Sequence, residues 1–189
     1  MLNHLRPAIV LTLAMTILIG LAYPLAITGA AQVLMPGAAN GSLIERDGKP
    51  AGSLYIGQAF SDPRYFWPRP SATAEVPYNA SASSGSNLGS TSAELKSRVE
   101  VEAARLTASG MAAPLPADAL MASGSGLDPH ISPAFALAQV PRVAQARRIA
   151  EAKILSLLRE HTDEPLLGLF GEPRVNVLAL NLALDSLKE

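Results

Sequence analysis

The chain has 189 residues, its 15 Lys and Arg nearly cancel its 16 Asp and Glu, and it contains no cysteine. That length admits one compact domain, or a membrane anchor with a smaller one. The even charge lacks the clustered basic surface that nucleic-acid binding requires, and the missing cysteines exclude disulfides and thiolate chemistry.

Charged residues make up 16% of the chain, against about 25% in a typical soluble domain, and only Arg6 lies before Glu45. From Ala8 to Met35 no side chain is charged. About 20 apolar residues cross a bilayer core of roughly 30 Å. The first region, residues 1–35, is therefore read as a short tail and one transmembrane helix spanning about residues 8–30. A cleaved signal peptide is the competing reading, because ITGAAQ at 27–32 offers small residues to a peptidase. Pro24 is tolerated in a membrane helix whose neighbours satisfy the freed carbonyl. Ala22, Ala26 and Ala30 recur every fourth residue with Gly29 beside them. They form either a face for close helix packing or a chance run of a common residue. Arg6 and the terminal amine precede the span, whereas Arg46 and Lys49 after it are mixed with Glu45 and Asp47. The positive-inside rule then predicts a cytoplasmic N-terminus, with the rest outside.

Residues 36–41, PGAANG, read as a linker and 42–189 as one exported domain. SLIER and AGSLYIG flank DGKP, the pattern of a β-hairpin. Residues 60–90 combine Pro63, Pro68, Pro70 and Pro77 with many Ser, Gly and Asn residues, and the interleaved Phe60, Tyr65, Phe66, Trp67 and Tyr78 favour an ordered loop. Thr91 and Glu94 fit a capping box for a helix carrying Leu95, Val99, Ala103 and Leu106, stopped at Gly110. Ser132 and Pro133 read as the N-cap and first residue of another helix, and Pro141 as the start of a further one. Val143, Ile149, Ile154, Leu157 and Leu158 then mark an apolar face through about residue 162. RVNVL alternates as a strand, and LNLALDSL is helical. The fold class is α+β: one N-terminal transmembrane helix and a single mixed α/β domain.

Five groups of residues invite a chemical reading. Ser125, Asp128 and His130 lie close in sequence, which would suit an exported serine hydrolase. The flanking pattern is not the G-x-S-x-G elbow, however, and a tight turn accounts for these residues. The three histidines, His4, His130 and His161, show no metal-ligand spacing. SSGSNLGS at 83–90 is Gly-rich but has Ser90 where a P-loop needs Lys. Arg69, Arg142 and Arg147 could pair with carboxylates or hold an anion. Asn40 and Asn79 head formal glycosylation triplets. A third possibility is an anchored extracellular sensor or binding domain.

Three long motifs, FWPRPSATAEVPYNASASSGSNLG (66–89), ASGSGLDPHISPAFALAQVPRVAQAR (122–147) and GEPRVNVLALNLALD (171–185), together resemble the KdpC family. These are the C subunits of the bacterial high-affinity potassium-transporting P-type ATPase. Pro68, Ser84 and Ala179 depart from the family's usual residues. The resemblance implies a non-catalytic accessory subunit of a complex in the cytoplasmic membrane, with its C-terminal domain periplasmic. Implied partners are a potassium-channel-like subunit, the P-type ATPase subunit, a small membrane peptide and membrane lipid. The complex uses ATP, Mg and potassium, none of which this subunit is expected to bind directly. By family description the subunit raises the ATP affinity of the ATPase subunit. The resemblance marks as partner-contacting or fold-critical Arg69, Pro70, Ser71, Tyr78, Asn79, Gly85, Ser86, Asn87, Ser125, Asp128, Ser132, Pro133, Gln139, Arg142, Arg147, Asn176 and Asn181.

Overall fold

The computed structural model describes residues 2–46 and 48–187, which divide into two compact units between Ala51 and Gly52. The first unit is dominated by a 30-residue apolar helix, Leu5–Leu34, about 45 Å long. Two α-helical halves, α1 (Leu5–Ile17) and α2 (Tyr23–Leu34), are joined by a π-helical turn at Leu18–Ala22, where the Tyr23 N–H reaches back five residues to the Leu18 carbonyl. Pro24 accounts for this turn. It has no N–H to offer the Gly20 carbonyl, and its ring crowds the preceding turn. One extra residue per turn makes room. None of the helix's side chains is buried, and it is long and apolar enough to cross a membrane.

Residues 36–41, expected as a linker, begin with one helical turn, α3 (Pro36–Ala39). Asn40 closes it by donating from Nδ2 to the Pro36 carbonyl (2.8 Å) and pairing with the Gln32 amide (3.2 and 3.3 Å). β1 (Leu43–Arg46) and β2 (Lys49–Ser53) form a two-stranded sheet. Lys49 and Pro50 belong to β2 rather than to the turn. Proline is acceptable there because each strand of a two-stranded sheet is an edge. Gly48 takes φ +73°, and Asp47, the other half of the expected turn, lies outside the described residues.

In the second unit, helices α4 (Ala93–Ala108), α5 (Ala117–Leu120), α6 (Pro133–Arg147), α7 (Glu151–Glu160) and α8 (Val177–Ser186) accompany three short strands. These strands, β3 (His130–Ile131), β4 (Thr162–Asp163) and β5 (Arg174–Asn176), form an antiparallel sheet in the order β3-β5-β4. The register places Ile131 and Thr162 on either side of Val175. Phe66, Leu106, Phe135, Val143, Ile154, Val175, Leu180 and Leu184 are fully buried at the centre.

Two expected helix starts shift. α4 is capped by Ser92, whose hydroxyl accepts the Leu95 N–H at 3.3 Å, not by Thr91. Glu94 is then the second helical residue, where it complements the helix dipole but closes no capping box. Pro141 does not open a helix, because α6 runs through it. The proline forfeits the bond to the Leu137 carbonyl, on a side where Leu137 is 50% exposed. Val140, Val143 and Ala144 hold the other side in the core. The break falls instead at Arg148, in the left-handed region at φ +57°. Strand β3 occupies residues expected as a turn; two residues are too few to show alternation.

Candidate functional site

Residues 54–92 contain no regular strand or helix, yet their backbone is strapped onto the helices by side chains from the marked motifs. Gln139 on α6 and Asn181 on α8 are almost completely buried, at 0% and 2% exposure. Each acts as a substitute strand. The Gln139 amide accepts the Trp67 N–H (2.7 Å) and donates to the Trp67 carbonyl (3.0 Å). The Asn181 amide does the same for Phe66 (2.8 and 3.0 Å). An amide carries its donor and its acceptor on two separate atoms side by side, so one side chain can satisfy both the N–H and the carbonyl of a single buried peptide residue, and buried backbone groups need both.

Two arginines extend the strap. Arg142 donates to the carbonyls of Pro63 (2.6 Å) and Tyr65 (3.1 Å) and to Gln139 Oε1 (2.6 Å). Its guanidinium stacks 3.8 Å from the centre of the Trp67 ring, with Arg105 at 4.6 Å. Burial, and then the Arg105 charge, lower the Arg142 pKa to about 10. Arg147 donates to the carbonyls of Arg64 (2.7 Å) and Leu184 (3.2 Å) and to Asp185 (2.7 Å). Tyr65 donates to the other oxygen of the same carboxylate at 3.0 Å.

Further along, Arg69 donates to the Asp128 carboxylate (3.0 Å) and the Met121 carbonyl (3.3 Å). Burial pushes the Asp128 carboxyl up, but hydrogen bonds from His130 and the Arg69 charge outweigh it and hold the pKa below the usual carboxylate value. Tyr78 donates to the Arg69 carbonyl (2.6 Å), and burial pushes its hydroxyl upward. Ser71 Oγ donates to the Gly126 carbonyl (2.7 Å) and accepts the Tyr78 N–H (2.9 Å). Asn79 Oδ1 accepts from the Ser81 hydroxyl (2.6 Å) and backbone (3.1 Å). The Gly85 Cα faces Gly124 so closely that a Cβ would meet its carbonyl at 2.9 Å. Asn87 takes φ +51°, while Pro70 and Ser86 line a cleft of about 320 Å³ beside α4. Open clefts of about 510 and 430 Å³ flank the Arg69–Asp128 pair.

Ser132 caps α6, accepting the Phe135 N–H (3.0 Å), and Pro133 is that helix's first residue. Asp118 fixes the cap by accepting from the Ser132 N–H (2.7 Å) and hydroxyl (2.8 Å). Asn176 caps α8 and donates to the Leu54 carbonyl (2.8 Å). Ser125 Oγ accepts the Leu127 N–H (3.1 Å), whereas His130 faces Asp128 (3.4 Å). No hydrogen bond joins Ser125 to His130 among the described residues, so the serine is turned into its own loop and lacks an adjacent base. The marked residues thus serve chiefly as internal struts. Ala22 ends the π-helical turn, and Ala26, Gly29 and Ala30 lie on α2, all exposed. Sequence reasoning missed Asp118, whose role depends on a contact 14 residues away. It also missed the apolar run 165–171, whose signal was an uncharged PLLGLFG between glutamates.

The family model described as K+-transporting ATPase, c chain (KdpC), matches residues 5–186. The chain is 57% identical over 190 residues to the potassium-transporting ATPase KdpC subunit of Polaromonas naphthalenivorans, covering 100% of this chain and 97% of that relative. It is 57% identical over 187 residues to the subunit of the same name from Sorangium cellulosum, with 98% of each chain covered. The corresponding match in Methylococcus capsulatus is 53% over 192 residues, covering both chains completely.

Proposed function

The chain belongs to the KdpC family, and on that premise we propose that it is the anchored assembly subunit of an ATP-driven potassium uptake complex in the bacterial cytoplasmic membrane. In this reading the Leu5–Leu34 helix is a retained single span, residues 36–41 tether it, and 42–189 form a periplasmic domain. The partners are a potassium-channel-like subunit, the P-type ATPase subunit and a small membrane peptide. The observation that carries the assembly role is the use of the family motifs. Gln139, Asn181, Arg142 and Arg147 each bond to the 63–67 backbone, which makes a scaffold, and among the described residues no hydrogen bond joins Ser125 to His130. A rise in the ATP affinity of the ATPase subunit would be indirect, because a periplasmic domain cannot touch cytoplasmic nucleotide. Binding one pump conformation in preference to another alters nucleotide affinity by linkage.

The chain's lack of cysteine makes topology testable with a single introduced thiol. A cysteine replacing Ser97, exposed on α4, should react with a membrane-impermeant maleimide once the outer membrane is permeable, and before lysis. Reaction only after lysis would overturn the orientation. We assign the small-residue face Ala22, Ala26, Gly29 and Ala30 to packing against a partner span, since small side chains let helices approach closely in lipid. Ala26→Leu should reduce recovery of the intact complex roughly tenfold, the effect of about 1–3 kcal/mol of overpacking. Full recovery with leucine at Ala22, Ala26 and Ala30 together would remove that face from the interface.

A further inference from the structure

The hairpin joining β4 to β5 ends in an apolar tip that the fold leaves uncovered. Beyond the Asp163–Arg174 rung of the ladder, Leu166 and Phe170 bond to each other in both directions at 3.0 Å. Gly168 and Leu169 donate to the carbonyls of Pro165 (2.9 Å) and Leu166 (3.2 Å). Leu167 and Gly168 make the reversal in the left-handed region. The tip is therefore a hydrogen-bonded turn rather than a loose loop. It nevertheless exposes Leu166 by 70%, Leu167 by 80%, Leu169 by 80% and Phe170 by 65%. Single exposed apolar residues are ordinary, but four large ones on one short turn mark an interaction site.

The charges around the tip are net acidic, although Arg159 lines the cleft beside Glu164 and Arg69 and Arg174 the cleft beside Glu172. Residues 165–171 carry none. Asp163 and Arg174 face each other at 3.6 Å, while Glu164 and Glu172 are exposed and form no ion pair among the described residues. A convex apolar turn with two exposed carboxylates at its base, neither held in an ion pair among the described residues, has a chemical complement: a concave apolar pocket with a basic rim.

We propose that the 165–171 tip is a docking knob that inserts into such a pocket on another protein subunit of the potassium-transporting assembly; this rests on the assembly reading above. The flanking carboxylates argue against the two other occupants. An anionic lipid surface repels them, and two copies paired tip to tip about a two-fold axis bring the same glutamates together. The ordered backbone suits a pocket, because little conformational freedom is lost when a pre-formed turn docks.

The test uses the full chain co-expressed with the other subunits, in three forms. Leu167→Ser with Leu169→Ser removes apolar contact. Glu164→Lys with Glu172→Lys reverses the flanks. A photoreactive benzoylphenylalanine replacing Leu169 reports the neighbour. Each double variant should lower retention of the chain on the complex by about tenfold, the loss expected when a buried anchor is truncated, and the photoproduct should be a cross-link to a different protein subunit. Vesicles of phosphatidylethanolamine and phosphatidylglycerol provide the lipid arm, where charge reversal would increase binding if the tip met a membrane. Retention unchanged in both variants, stronger retention after charge reversal, or cross-links only to lipid or to a second copy would each overturn the knob. Wild-type emission of Trp67, which is buried in the core of the same unit, checks folding, and the photo-cross-link decides the matter should a variant misfold. A wild-type chain that does not co-purify with the other subunits defeats the assembly reading itself. A wild-type chain that does, alongside tip variants that do equally well, defeats only the knob.

Discussion

Two segments of the second unit invert the usual relation between composition and burial. Residues 60–90 are rich in Pro, Ser, Gly and Asn, yet Phe66 and Trp67 at their start lie in the core. Residues 165–171 are almost wholly apolar, yet from Leu166 onward they face solvent. The difference is in how backbone groups are satisfied. The first segment can be buried without strand partners because Gln139 and Asn181 supply a donor and an acceptor to each buried residue. The second bonds to itself as a turn and contributes nothing to the core. Burial in this protein follows hydrogen-bond provision as much as hydrophobicity.

The largest test of that contrast is Asn181→Ala. It leaves the Phe66 N–H and carbonyl buried without partners, at about 1–3 kcal/mol for each orphaned group. Urea unfolding of the purified full chain, followed by its single tryptophan, should show a loss of roughly 2–6 kcal/mol. An unchanged midpoint would mean that the strap is not what holds the segment. A smaller effect concerns Asp128, whose folded pKa lies below 3.8 because His130 and Arg69 outweigh its burial. A depressed carboxylate contributes stability that is fully present above its unfolded pKa and is lost as pH falls through the folded one. Asp128→Asn should therefore be less stable than wild type at neutral pH, with the gap closing on acidification below pH 3.8. A gap that widens in acid would reverse the sign. The smallest effect belongs to the apolar tip: Leu167→Ser with Leu169→Ser should leave the unfolding free energy within about 0.5 kcal/mol of wild type. A larger drop would show that the tip supports the fold.

The membrane-length helix, the α6 cap at Ser132 and the α+β character are legible in the sequence because each rests on local chemistry: an uncharged run, a hydroxyl before a proline, and periodic leucines. The family is legible because its motifs are long. The strap is not legible, because Gln139 and Trp67 are 72 positions apart and nothing local tells a buried glutamine from an exposed one. Pro141 misleads for a related reason. Whether a proline ends a helix depends on what the rest of that helix buries, and α6 buries both sides of it in sequence. Strand β3 exists only because β5 lies beside it, a tertiary cause that two residues cannot announce.

The π-helical turn changes the phase of the long helix. It acts as a one-residue insertion, so the line through Ala26 and Ala22 continues upstream onto Ile17 and Leu13 rather than Leu18 and Ala14. The narrow, small-residue track is thereby confined to the half after the turn, and the half before it presents branched aliphatic bulk along the same line. If a partner span follows the alanines closely, as proposed above, it would be pushed outward where it meets Ile17. The two helices would then cross at an angle and separate toward the N-terminal end, leaving a wedge between them for acyl chains to fill.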